Sequence, residues 1–210
     1  MPPAPTNRLI DPSLLPSLQH DHVFLSFATE EDRETIRPLA KDERLWEFTK
    51  TLLINDSYDT QFDTYFNTAL KLADEGGQAF IIRAVQDQSV LGMTRILNVV
   101  PQDKRAEIGH TWYIPAVWGQ VHNKECKLVL LQCLFEKLGF CRVEFRVAHQ
   151  NIRSQKAVEK IGGLREGVLR KYTIRNDGSW RDTVVFSIID DEWSAKKLRL
   201  RQLIASHNTL

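Results

Sequence analysis

The sequence predicts a mixed α/β fold in a single domain, and three observations support that expectation. Apolar residues recur at helical spacing in the first third of the chain. The period then shortens to strand-like runs from about residue 78, and strand and helix patterns alternate from there to the C-terminus. At 210 residues the chain encloses one substantial core, with no internal repeat and no low-complexity linker beyond its first 20 residues.

Residues 1–20 (MPPAPTNRLIDPSLLPSLQH) are proline-rich and read as an extended arm. They lack the basic stretch followed by an apolar run that would mark a signal peptide. The domain proper is expected over 21–193. HVFLSFA (22–28) is a first strand. Thr29 then suits a helix N-cap, with Asp32 three residues on and Glu30 and Glu31 in the favourable first turn, and Pro38 kinks or ends this helix. YDTQFDTYFNTALKLADEGG is a second helix, with Phe62, Tyr65, Phe66, Ala69 and Leu72 on one stripe and Gly76-Gly77 as its stop. QAFIIRAV and SVLGMTRILNVV form a hairpin across QDQ. AEIGHTWYI (106–114) is a fourth strand, ended by Pro115.

After a polar turn, WGQVHNK, a helix is expected from Lys124 to Leu138, closed by Gly139. Leu128, Leu131, Phe135 and Leu138 mark its apolar stripe, and Leu130 and Leu134 widen it. RVEFRVA alternates as a fifth strand, with Val143, Phe145 and Val147 on one face. Asn151 caps a short helix that Gly162 stops, and a strand hairpin turns at Asp177-Gly178. The tail, 194–210, belongs to a basic amphipathic helix, read as a solvated surface helix or as a contact for a partner or an acidic surface.

Composition narrows the function classes. Apolar residues are 42%, charged residues 26% and the net charge +1, so no overall field draws the chain to nucleic acid or an anionic membrane; only KKLRLR in the tail points that way. No apolar run approaches the ~20 residues needed to span a bilayer. Cys126, Cys133 and Cys141 lack metal-ligand spacing and are odd in number, which fits a reducing cytoplasm, no disulfide framework and no metal.

The turn Gly119–Lys124 is the first candidate site. The opening N–H groups of a helix lack intrahelical partners and carry the positive end of the helix dipole, so a strand-turn-helix with a small residue can cradle phosphate. Gly119 lets the backbone approach a ligand. Asn123 can cap the helix or donate to phosphate, and Lys124, Lys127 and a protonated His122 can add charge. A plain helix start would look the same. Neither GxxxxGK[ST] nor GxGxxG occurs. The second element is Asn151, Arg153 and Ser154, opening a helix directly after the alternating strand.

With EIG-T--IP--WG, NKECK and N-RS--A-EKIG in this order, the chain resembles the GNAT N-acetyltransferase superfamily, and within it the branch of RimJ and RimL. The resemblance runs from about Val23 to Trp193 and is strongest from Glu107. It implies a central, mixed, mostly antiparallel sheet of six or seven strands flanked by helices, with the fourth and fifth strands splayed around acetyl-CoA. The pantetheine would pair with the backbone of Thr111, Trp112, Tyr113 and Ile114 as an added strand does. The pyrophosphate would sit on Gly119, Gln120, Val121, His122, Asn123 and Lys124, and Asn151 and Ser154 would face the cofactor. Two departures stand out: Val121, His122 and Asn123 form the second half of the turn, so fewer glycines line the cradle than the superfamily pattern often has; and Val158 replaces the tyrosine that serves many members as general acid, with Gly163 in place of the usual aromatic.

The implied reaction is acetyl transfer from acetyl-CoA to a primary amine, a peptide N-terminus or a small amine, by direct attack in a ternary complex. It needs a base for the ammonium proton and an N–H donor for the oxyanion, which a bulge near Thr111 or Trp112 could supply. Glu107 is the first candidate base, or else a strand-end surface carboxylate. His110 is the second: strict alternation groups it with Ile108 and Trp112 on a buried face, and a bulge would reverse that. Ser154, Tyr113 and Tyr172 are weak candidate acids, and water bridges are expected to carry much of the proton transfer. Trp46, Phe48, Tyr58, Phe62 and Tyr65 would shape the acceptor site or simply pack; Asp56 and Asp59 would attract a cationic amine or simply be solvated. The competing reading is a CoA-binding sensor or interaction module without catalysis. Beyond the amine acceptor, a homodimer is kept open as a partner, and membrane and nucleic acid are not expected.

Overall fold

The computed structural model describes residues 9–51, 53 and 57–207. The elements are β1 (Val23–Phe27), α1 (Arg33–Leu39), α2 (Tyr58–Lys71), β2 (Gln78–Ala84), β3 (Val90–Val100), β4 (Arg105–Tyr113), α3 (His122–Gln132), β5 (Arg142–Ala148), α4 (Ile152–Lys160), β6 (Leu164–Ile174), β7 (Trp180–Ile189) and α5 (Asp190–Ala205). The strands form one sheet in the order β1-β2-β3-β4-β5-β7-β6. Every neighbouring pair is antiparallel except β4 and β5, which are parallel.

Each face of the sheet has its own core. One face packs Phe80, Ile82, Ile108, Phe145 and Phe186 against the apolar stripe of α3 and against Trp193, Leu200 and Ile204 of α5. Residues 9–20 hold a 3-10 helix, Pro12–Ser17, and sink Ile10 and Leu18 into this same core. The other face packs Ile81, Met93 and Trp112 against Ile36 of α1 and Phe62, Phe66 and Ala69 of α2. Full burial of a phenylalanine such as Phe62 or Phe66 is worth roughly 1.5–3 kcal/mol, so α2 is fixed mainly by this stripe.

The ends of the elements follow local chemistry. The Asp32 carboxylate accepts the Thr29 N–H at 2.9 Å where α1 begins, and Pro38 lies within its last turn. Helix α3 starts at His122, two residues before the expected Lys124, so Asn123 lies inside the first turn and is not the cap. After Gln132 the helix widens into a π turn, Cys133–Lys137. Buried Glu125 accepts both the backbone N–H of His22, at 2.9 Å, and a bond to its ring Nδ1, at 2.7 Å, which ties β1 to α3. No helix among the described residues is long and apolar enough to cross a membrane.

Candidate active site

The site is built around a fork in the sheet. β4 and β5 pair only at Arg105↔Arg142, Ala106↔Val143 and Glu107↔Glu144, although β4 runs on to Tyr113 and β5 to Ala148. At the fork β4 also bulges: Gly109 lies opposite Arg95 and Trp112 opposite Met93, so one extra residue is held on β4. His110 takes the strain with φ +48°. The bulge reverses the alternation. Ile108 faces the α3 core, whereas His110 shares the α2 face with Trp112, so the strict grouping of His110 with Ile108 does not hold. Thr111 turns towards α3 and meets Thr94 Oγ1 at 2.8 Å. Trp112 donates from Nε1 to the Tyr65 hydroxyl at 3.0 Å. The Ile114 N–H bonds to Leu91 O at 2.8 Å, which keeps this half of β4 on β3.

Beyond the fork, Gly119 has φ +78°, and no atom lies within 4 Å of where a Cβ would stand. Gln120 is exposed, Val121 is buried, and His122, Asn123 and Lys124 are half-buried at the mouth of α3. This open, glycine-turned helix start fits a pyrophosphate. Two charges assigned to it need correction. Burial holds the His122 imidazole below its ordinary pKa, so it is neutral at pH 7. Lys127 points away from the mouth and into the sheet, where its Nζ donates to Thr111 Oγ1 at 2.7 Å.

Asn151 does cap α4, its Oδ1 accepting the Ser154 N–H at 2.9 Å. Arg153, at the start of α4, stacks its guanidinium 4.0 Å from the centre of the Trp118 ring, so the helix after β5 reaches the turn after β4. The two segments expected to hold the cofactor thus meet across the fork. Val158, at the position of the absent tyrosine, is buried, and a Cβ on Gly163 would lie 2.5 Å from its Cγ1. Val158 and Gly163 are therefore one packing arrangement.

Glu107 stands at the fork itself. It is 6% exposed and not a surface carboxylate. Its Oε2 accepts from Asn98 Nδ2 at 2.7 Å and lies 3.4 Å from Arg146 Nε. Burial raises its pKa, while Asn98 and Arg146 counter part of that rise. Arg146 also pairs with Glu144 at 3.1 Å and donates to the Tyr172 hydroxyl, so Tyr172 reaches Glu107 only through Arg146.

On the α2 side of the bulge lies a cleft of ≈ 420 Å³. Its walls are Thr60, Gln61, Thr64, Tyr65 and Thr68 of α2, Arg95 and Leu97 of β3, and His110 of β4. Lys50, Thr51, Leu72 and Asn176 complete the lining. The Asn176 N–H bonds to Lys50 O at 3.3 Å and its side chain to Thr51 O, so the β6–β7 turn is latched to the segment before α2. Tyr65 borders the cleft, whereas Trp46, Tyr58 and Phe62 are packed in the core and Phe48 is half-buried. Asp59 pairs with Arg37 at 3.4 Å on the outside of α2, and Asp56 lies outside the described residues. The α2 threonines lie off the apolar stripe and leave no mark in the hydrophobic periodicity; their spacing of four is their signal in the sequence.

A family model described as Acetyltransferase (GNAT) domain matches residues 22–163. The chain is 26% identical over 176 residues to the uncharacterized N-acetyltransferase YoaA of Bacillus subtilis (strain 168), covering 84% of this chain and 98% of that one. It is 32% identical over 112 residues to a protein of the same organism named "Putative ribosomal N-acetyltransferase YdaF", covering 53% and 60%. Among solved structures, Mycobacterium smegmatis RimJ in complex with CoA-disulfide superposes with TM-score 0.74 at 22% identity, over 88% of this chain and 90% of that one, which shows a shared fold.

Proposed function

The chain belongs to the GNAT acetyltransferase family, and from that premise we propose that it transfers acetyl from acetyl-CoA to the primary amine of a peptide N-terminus. The observation that supports this most is the fork, where β4–β5 pairing stops at a buried carboxylate, Glu107, beside a bulged strand. Acetyl-CoA supplies the activated thioester. In this reading the turn Gly119 to Lys124 would hold its pyrophosphate with the amides of Val121, His122 and Asn123, since those of Gln120 and Lys124 donate to Val117 O and Val121 O. The stretch Thr111 to Ile114 would offer its remaining backbone groups to the pantetheine, and Asn151, Arg153 and Ser154 would close the far side. The amine lone pair forms the new C–N bond as the C–S bond breaks. Glu107 takes the ammonium proton, directly or through water, and a backbone N–H at the bulge steadies the acyl oxygen. The second proton that the nitrogen loses as the amide forms passes through water to the thiolate, because Val158 supplies none. His110 and Ser154 are secondary in this scheme, since His110 is held neutral and Ser154 opens the α4 cap.

A peptide α-amine, with pKa about 7.7–8, is far easier to deprotonate at neutral pH than a side-chain or polyamine amine near ~10.4. The name of the relative YdaF points the same way. The edge strand β6 exposes Leu164, Leu169, Tyr172 and Ile174, which suits a homodimer, and three free thiols suit a reducing compartment. The packing of Val158 on Gly163 favours one second reading, a CoA sensor without turnover. Mass spectrometry of short peptides and polyamines incubated with the protein and acetyl-CoA separates the two. Acetylated peptide N-termini are expected; acetyl-CoA that binds while every amine stays unmodified would leave the sensor.

A further inference from the structure

The cleft beside the bulge has a charge that N-acetyl transfer alone does not require. Arg95 lines its floor and is 2% exposed. Its guanidinium lies 4.2 Å from the centre of the Tyr65 ring and donates from Nη2 to Tyr65 O at 3.1 Å, while its Nε has no partner. Among the described residues, no carboxylate comes within 4 Å of Arg95, Arg181 or Lys50, and none lines the cleft. Lys50 stands exposed at the rim. Arg181 is half-buried nearby, its Nε also without a partner. The charges of Arg95, Arg181 and Lys50 all add to burial in holding the His110 imidazole neutral, so the bulge lies in a positive field. The nearest carboxylate, Glu107, is already engaged by Asn98 and Arg146.

A guanidinium buried without a counter-charge is costly, and the cost is offset when an anion completes the site. This cleft opens on the α2 face of the sheet, whereas the α3 mouth that fits the pyrophosphate serves the other face, so the phosphates of the cofactor do not account for it. We propose that the cleft is an anion subsite for the acceptor: the peptide that presents its N-terminal amine at the bulge carries a carboxylate side chain in its first two residues, bound by Arg95 and Lys50. This rests on the N-acetyltransferase reading and sharpens it. Thr60, Thr64 and Thr68 give the peptide backbone polar partners along α2, and Asn176 over Lys50 confines its entry. The same field disfavours polyamines and peptides with lysine at the second position.

Calorimetric titration of the full chain, saturated with CoA so that no turnover occurs, tests this directly. The probes are Ala-Asp-Ala-amide, Ala-Ala-Ala-amide, Ala-Lys-Ala-amide and spermidine. The acidic peptide is expected to bind about tenfold more tightly than the neutral one, with the lysine peptide and spermidine weaker still. Lys50→Gln, an exposed change, and Arg95→Gln are each expected to shrink the acidic-to-neutral ratio several-fold; if Arg95→Gln fails to fold, Lys50→Gln decides. Equal binding of all peptides, preference for lysine or spermidine, no binding at all, or a ratio unmoved by Lys50→Gln would overturn the subsite. Turnover with acetyl-CoA is read separately: an acidic peptide that binds but is never acetylated sinks the transferase reading and leaves the subsite standing.

Discussion

Glu107 and His110 sit three residues apart on one strand, and their surroundings move their proton affinities in opposite senses. Burial raises that of Glu107, while the cleft walls and the charges of Arg95, Arg181 and Lys50 lower that of His110, which still exposes part of its surface. Glu107 has a raised pKa in the fold, so its contribution to stability is present below the ordinary carboxylate range and is lost as pH rises through the folded value. Glu107→Gln should therefore gain stability relative to the parent between pH 4 and pH 7, read from urea melts at both. It should also lower kcat/KM by about 10²–10⁴-fold and remove the acidic limb of the pH profile. An unchanged kcat/KM across pH would end its role as base. His110 has a lowered pKa, so its contribution is present above its ordinary value of 6.5 and is lost as pH falls. His110→Asn should lose less Tm than the parent on acidification below that point. Residue chemistry was only partly legible in the sequence. Asn151 announced its cap, because a cap is local. Lys127 and His122 looked like charges for phosphate, yet one is turned into the sheet and the other neutralised by burial, and both depend on residues far along the chain.

The strand-turn-helix from β4 to α3 shows what an element can and cannot declare. Its hydrophobic pattern gave the strand, the turn and the helix in order, and Pro115 and Gly119 marked the turn by local chemistry alone. The bulge at His110 left no trace in the pattern, because an extra residue shows only against the partner strand. That partner is β3, and Gly92 is the residue that lets it approach: a Cβ there would stand 2.0 Å from Trp112 O. Gly92→Ala must push β3 from β4 or bend both, and overpacking of this kind costs on the order of 1–3 kcal/mol or more. Denaturant melts should show that loss, with faster hydrogen exchange at the Ile114 N–H, which bonds to Leu91 O beside Gly92. An alanine variant as stable as the parent would mean that the β3–β4 pairing is looser than the register implies.

At the scale of the molecule, the fork lies in one sheet that carries a separate core on each face. The α3–α5 core runs under both arms of the fork, with Ile108 and Tyr113 of β4 and Phe145 and Val147 of β5, while the α2 core holds β4 and β3 through Trp112 and Met93. Beyond Glu107 no β4–β5 pairing joins the arms, and Arg153 on Trp118 is a crossing contact made by exposed or half-buried side chains. The family pattern made the splay and the glycine turn before α3 legible, since each is coded by a short run. The cationic cleft was not, because Lys50, Arg95 and Asn176 come from three distant segments that only the folded sheet assembles. A ligand seated in the fork would tie the two halves together, so its binding should appear as global stability. Acetyl-CoA at about 100 times its Kd should add roughly 2.7 kcal/mol. For a chain of this length that raises Tm by about 5–10 °C. CoA should act similarly and ATP should not, because adenine and phosphates alone engage the α3 mouth without the β4 backbone. A shift with ATP as large as with acetyl-CoA would mean that the mouth binds phosphate generally and that the splayed strands take no part.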